Sequence, residues 1–136
     1  MVDAQGNPLA ITCGRANRHD QVFALKTVDR IIVGQKIRRP VRLGTDKGYD
    51  NDNFRKALRK RNIRPCLTRR SNNHKGITKS ELREKKYCRQ RWKVERSWNW
   101  LNNNRRIDRF MEKKTSTYQG FCYLMFLKYY VKKLVK

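Results

Sequence analysis

The chain has 136 residues and carries 35 Lys and Arg against 11 Asp and Glu, a formal net charge of +24. One domain is expected at this length, since single domains run to roughly 100–200 residues, and with 38% hydrophobic and 10% aromatic residues the chain is too apolar to be a disordered polybasic tail. So dense a positive charge repels itself unless an anion neutralises it, and the phosphate backbone of a nucleic acid is the default partner.

A membrane is not expected as a partner: the longest apolar run, Phe121 to Leu127, is closed by Lys128 and falls far short of the roughly 20 residues that span a bilayer. The start, Met1 to Gln5, has neither a basic nor an apolar leader segment, so a cytoplasmic location is expected. Cys13, Cys66, Cys88 and Cys122 lie far apart with no Cys-x-x-Cys pair and are read as reduced, structural thiols. A scattered site using Cys66, His74 and Cys88 lacks the close ligand pairs that zinc sites use.

In chain order, Val2 to Ala4, a breaker-rich turn from Gln5 to Pro8 and Leu9 to Cys13 predict a hairpin with a short first strand. Asp20 is a candidate N-cap for a helix carrying Val22, Leu25, Val28 and Ile32 and ending by Gly34. Val41 to Thr45 predicts a strand that delivers Asp46 into a glycine-containing loop. Asp50 or Asn51 can cap the next helix, with Phe54, Ala57 and Leu58 buried and Arg55, Lys56, Arg59 and Lys60 wet. Ile63 to Leu67 predicts another strand, which Pro65 places at a sheet edge.

The polar, basic stretch 68–80 predicts a loop. A long helix is predicted from about Glu81 to the Asn102-Asn103-Asn104 break, with Glu95 inside it. A last helix, about Thr117 to Val135, carries Phe121, Met125 and Tyr129 on one face, with Leu124, Leu127 and Val131 nearby, and packs as a lid on the core.

Among so few acids, Asp3 on a strand, Asp46 at a strand end and Glu95 on a later helix are candidates to hold two Mg²⁺ ions, which prefer oxygen ligands and share their shell with substrate phosphate. Two such ions activate a water or a 3′-hydroxyl and stabilise the departing oxygen of a phosphodiester. Each acid also has a plainer reading: Asp3 flanks a turn, Asp46 opens one, and Glu95 pairs with Arg91 four positions earlier. His19-Asp20 reads as a turn and cap rather than a catalytic pair. Trp92, Trp98 and Trp100 read as packing residues, with stacking on a base as the sharper alternative.

Val2-Asp3-Ala4-Gln5-Gly6-Asn7-Pro8-Leu9, Arg18-His19-Asp20, Thr45-Asp46-Lys47-Gly48-Tyr49-Asp50, and Arg89-Gln90-Arg91-Trp92-Lys93-Val94-Glu95-Arg96 with Arg105-Arg106 downstream resemble, in order along almost the whole chain, the bacterial insertion-sequence transposases of the DDE type. The resemblance implies an α/β, RNase H-like fold over residues 1–136, a mixed sheet with flanking helices and a largely truncated first strand. It implies Asp3, Asp46 and Glu95 as the catalytic, metal-binding acids, with Mg²⁺ (Mn²⁺ as a substitute) as cofactor. It also implies metal-dependent cleavage and strand transfer at element ends. DNA at element ends and at the target is the implied partner, together with a homo-oligomer on DNA, association with the nucleoid and an upstream reading-frame product. Lys47, Tyr49, Arg59, Lys60, Arg69, Arg70, Arg91, Arg96, Arg105 and Arg106 are the candidate DNA contacts.

The third motif of that family commonly runs Tyr, Arg, Glu and a basic residue separated by two, three and six residues. Arg91 and Glu95 fit, whereas Cys88 and Asn102 occupy the outer places and Tyr87 is one position off. In the family a DNA-binding region and most of the first strand precede the first acid; here Met1 and Val2 do. A basic nucleic-acid-binding module without catalysis and an inactive transposase remnant are the alternatives.

Overall fold

A computed structural model of the chain describes residues 1–15, 17–33, 36–37, 39–67, 89–109 and 111–135. The loop expected over 68–80, Arg69, Arg70, His74, Tyr87, Cys88 and the start of the long helix at Glu81 lie outside the described residues. The chain divides into two compact units, one formed by Met1–Arg30 with Lys93–Lys136 and the other by Ile31–Trp92. Among the described residues no helix is long and apolar enough to cross a membrane.

In the first unit the chain opens on a tight hairpin. Val2 bridges Pro8 antiparallel, the Asp3 N–H donates to the Asn7 carbonyl at 2.9 Å, and the Leu9 N–H donates to the Met1 carbonyl at 3.0 Å. Gly6 turns the corner with φ +89, a left-handed conformation that L side chains rarely adopt. The predicted second strand, Leu9 to Cys13, forms no strand. Its backbone is served partly by Met1, whose ammonium donates to the Ala10 carbonyl at 2.7 Å, and partly by the last helix, where Tyr123 donates to the Ile11 carbonyl at 3.1 Å and Gln119 accepts from the Cys13 N–H at 3.5 Å; just before it, Tyr130 donates to the Pro8 carbonyl at 2.7 Å.

Helix α1 spans Gln21–Asp29. Asp20 precedes it as expected but has helical backbone angles and makes no capping hydrogen bond. The helix stops before Ile32, which begins a strand, so the expected run to Gly34 is too long. Val28 is buried and Thr27 donates to the Thr12 hydroxyl at 2.8 Å.

The second unit begins with a two-stranded antiparallel ribbon, β1 (Ile32–Val33) on β2 (Lys36–Ile37). Then β3 (Arg42–Gly44) pairs in parallel with β4 (Arg64–Cys66), Leu43 opposite Pro65, and α2 (Asp52–Arg59) is the crossover between them. In a two-stranded sheet both strands are edges, so Pro65 is tolerated as expected. Leu43, Phe54, Leu58, Ile63, Cys66 and Leu67 are buried. Arg55 corrects the expected wet face of α2: it is buried, its guanidinium bonded to the equally buried Asp50 carboxylate at 2.7 and 3.0 Å and to the Leu67 carbonyl at 3.2 Å.

Back in the first unit, a helix α3 (Trp92–Asn102) leads through α4 (Arg105–Asp108) to α5 (Thr115–Leu134). Asn104 ends α3 by donating to the Trp100 and Leu101 carbonyls. Leu101, Ile107, Cys122 and Phe126 form the core here, with Ile11, Trp100, Tyr118 and Met125 around it. Leu124, Leu127 and Val131, expected beside the packed stripe of the last helix, are exposed. The chain therefore mixes helix with strand, and its described strands pair in two small sheets.

Candidate catalytic carboxylates and their surroundings

Asp3 sits at the first corner of the hairpin, and its carboxylate is saturated by local donors. Oδ1 accepts from the backbone N–H groups of Gln5 and Asn7, each at 2.8 Å, and Oδ2 accepts from the Asn7 side-chain amide at 2.6 Å. Partial burial pushes this carboxyl up, but the hydrogen bonds from Asn7, Gln5 and Gly6 outweigh it and hold it below the usual aspartate range. Asp3 is therefore ionised at neutral pH.

The turn that follows Asp3 is clamped by the first turns of α3. Lys93 donates to the Ala4 carbonyl, Arg96 to Gln5 at 2.9 Å and Ser97 to Gly6 at 2.6 Å. A Cβ on Gly6 would lie 2.6 Å from the Arg96 guanidinium, the far end of a flexible side chain that can shift aside, so it is the φ that demands glycine here. The structure thus brings together the turn of the first acid and the helix of the third. Glu95 itself is exposed. At about 100° per residue it lies roughly 150° around α3 from the arc of Lys93, Arg96 and Ser97, on the flank away from the hairpin.

In the other unit Asp46 lies two residues beyond the end of β3, at the carboxyl end of a strand in a parallel pair, the edge at which open α/β sheets bind their ligands. It caps a 3₁₀ turn, Lys47–Tyr49, accepting from the Lys47 N–H at 2.6 Å, and it pairs with Arg91 at 2.9 Å. Both contacts fall on Oδ1. The two side chains are about half exposed, 48% for Asp46 and 54% for Arg91, so the pair fixes geometry more than it stabilises, at about 0–1 kcal/mol.

Among the candidate DNA contacts, Lys47, Arg59, Lys60, Arg91, Arg96, Arg105 and Arg106 are exposed. Tyr49 is half-buried, its ring 5.8 Å from Phe54. Arg106 lies 5.2 Å from the Phe121 ring centre and 3.4 Å from Glu112. The sequence gives Asn7, Ser97, Tyr129 and Lys133 no role at the site. The Gly-Asn turn marked the place of Asn7, but its partners on α5 are more than a hundred residues away.

Carboxylate oxygens suit a hard divalent cation, and the fixed carboxylate of Asp3 and the half-exposed one of Asp46 are of that kind. Within each unit, among the described residues, no three His, Cys, Asp or Glu side chains gather into a metal cluster.

The family model of the transposase DDE domain matches residues 1–130. The chain belongs to the DDE-domain transposase family. It is 32% identical over 127 residues to the protein of Burkholderia cepacia named as a transposase for insertion sequence element IS402, an alignment covering 89% of this chain and 56% of that relative. The chain thus spans little more than half the length of the transposase it matches. No solved structure matches it.

Proposed function

We propose that this chain is the catalytic part of an insertion-sequence transposase with an RNase H-like fold, which cuts DNA at element ends and joins the freed 3′-hydroxyl to target DNA, and in which Asp3, Asp46 and Glu95 would hold two Mg²⁺ ions. The observation that carries this reading is Asp46: an acid at the carboxyl end of a parallel strand, half exposed, held by the arginine of the third motif. Asp3 contributes an ionised carboxylate fixed by its turn. Glu95 enters through its place four residues after Arg91 in that motif. When bound, the ions supply Lewis-acid activation of the attacking oxygen and charge neutralisation at the leaving one. The exposed Lys47, Arg59, Lys60, Arg105 and Arg106 hold the phosphate backbone, and the chain works as a homo-oligomer on paired ends.

One observation favours a second reading, a basic nucleic-acid-binding module without catalysis: the Asp3 carboxylate already serves the donors of its own turn. Nicking of supercoiled DNA carrying an element end separates the two. The transposase reading expects nicking that needs Mg²⁺ or Mn²⁺ and falls to the metal-free background in Asp46→Asn; nicking left intact by that substitution contradicts it. The binding module expects salt-sensitive DNA binding, no metal-dependent turnover, and no loss on neutralising Asp3 or Glu95.

A further inference from the structure

Among the described residues Asn7 and Arg55 are the polar or charged residues buried as whole residues. Arg55 pairs with Asp50 just ahead of its helix and with the Leu67 carbonyl, whereas Asn7 joins two distant parts of the first unit, and its amide is used at both ends. Nδ2 donates to Oδ2 of Asp3 at 2.6 Å, while Oδ1 accepts from the Tyr129 hydroxyl at 2.9 Å and from the Lys133 ammonium at 2.8 Å. This orientation follows from the partners: an ionised carboxylate only accepts, and an ammonium only donates. A side chain linking the two must present a donor at one end and an acceptor at the other, which is the property of an amide. The backbone ties between Asn7 and Asp3, 2.8 Å from the Asn7 N–H to Oδ1 and 2.9 Å from the Asp3 N–H to the Asn7 carbonyl, require a short side chain. Asparagine meets both conditions. The Lys133 charge on Oδ1 further polarises the amide and strengthens the N–H that holds Asp3.

We propose that Asn7 is a positioning residue for the first carboxylate, through which α5 fixes the direction of Asp3, with Tyr129 and Lys133 as its anchors. The proposal rests on Asp3 being a metal ligand. Partners of this kind orient ligating carboxylates, and their loss typically weakens metal binding by about 10–100-fold.

The sign of one effect separates this role from simple electrostatics. Deleting a lysine near a cation site strengthens cation binding through space, whereas deleting an anchor of Asn7 weakens it. Free Mn²⁺ measured by electron paramagnetic resonance gives the affinity of the chain with no DNA present, and thermal melting of each variant reports the fold. Asn7→Leu is expected to weaken Mn²⁺ binding by about tenfold or more. Lys133→Met weakens it in the same direction by a smaller factor with an unchanged melting temperature, and Lys132→Met, which removes the same charge one residue away, does not weaken it. Should Asn7→Leu fail to fold, Lys133→Met against Lys132→Met decides. Tighter or unchanged Mn²⁺ binding in Lys133→Met overturns the proposal. If Asp3→Asn weakens binding while the Asn7 and Lys133 variants do not, the positioning role alone falls; if Asp3→Asn binds as the native chain does, the metal role of Asp3 falls and the proposal with it.

Discussion

The Asp3 carboxylate is held below its ordinary value by the donors of its turn, so as the pH drops the unfolded chain takes up a proton at this position before the folded chain does. The stability that Asp3 contributes is full above the ordinary carboxylate range and is lost as the pH falls through it toward the lower folded value. The melting temperature of the native chain should therefore fall more steeply between about pH 6 and about pH 3 than that of Asp3→Asn; parallel curves contradict the account. A second residue-scale prediction concerns Asp50 and Arg55, whose side chains are 6% and 7% exposed. Arg55→Met leaves a buried carboxylate without its ion partner and should cost about 3–5 kcal/mol in denaturant unfolding, with much of the loss recovered in Asp50→Leu/Arg55→Met. This pair was illegible in the sequence. A helical wheel places Arg55 beside Phe54 without revealing that Asp50, just ahead of the helix, turns inward to meet it. Asp3 and Asp46 were legible as acids at turns because the glycines and asparagines around them leave few other conformations.

Helix ends show which local signals are reliable. Asn51 has extended backbone and accepts from the Asn53 N–H at 2.8 Å, while Asp20 has helical backbone and caps nothing. Asn51→Ala should therefore destabilise the chain by about 1 kcal/mol and Asp20→Ala by much less; equal losses in chemical denaturation would contradict the assignment. Both residues looked like caps in the sequence, because residue type alone does not report the φ and ψ that let a side chain reach back. The elements β3, α2 and β4 were legible from apolar runs and breakers. The stretch from Leu9 to Cys13 was not, since its apolar run after a turn suits a strand, yet its Ile11 carbonyl and Cys13 N–H are met by a tyrosine and a glutamine of α5. Long-range side-chain partners of this kind leave no local trace, and Asn7 went unread for the same reason.

Across the whole molecule, a charge of +24 sets the few carboxylates apart: in so basic a chain, an acid that is fixed in place by neutral donors is suited to a cation. The order of the three motifs was legible along the entire chain, and the family match over residues 1–130 agrees with it. Composition and spacing carry no information on how the acids are oriented, which depends on hydrogen bonds such as those from Asn7 and Arg91. The central claim is that Asp3, Asp46 and Glu95 bind the same ions. Paramagnetic broadening of backbone amide signals by Mn²⁺ tests it most directly: broadening is expected around residues 3, 46 and 95 together, and Asp46→Asn should abolish it at all three. Broadening that persists at residues 3 and 95 in that variant, or that never reaches residue 46, would contradict the claim.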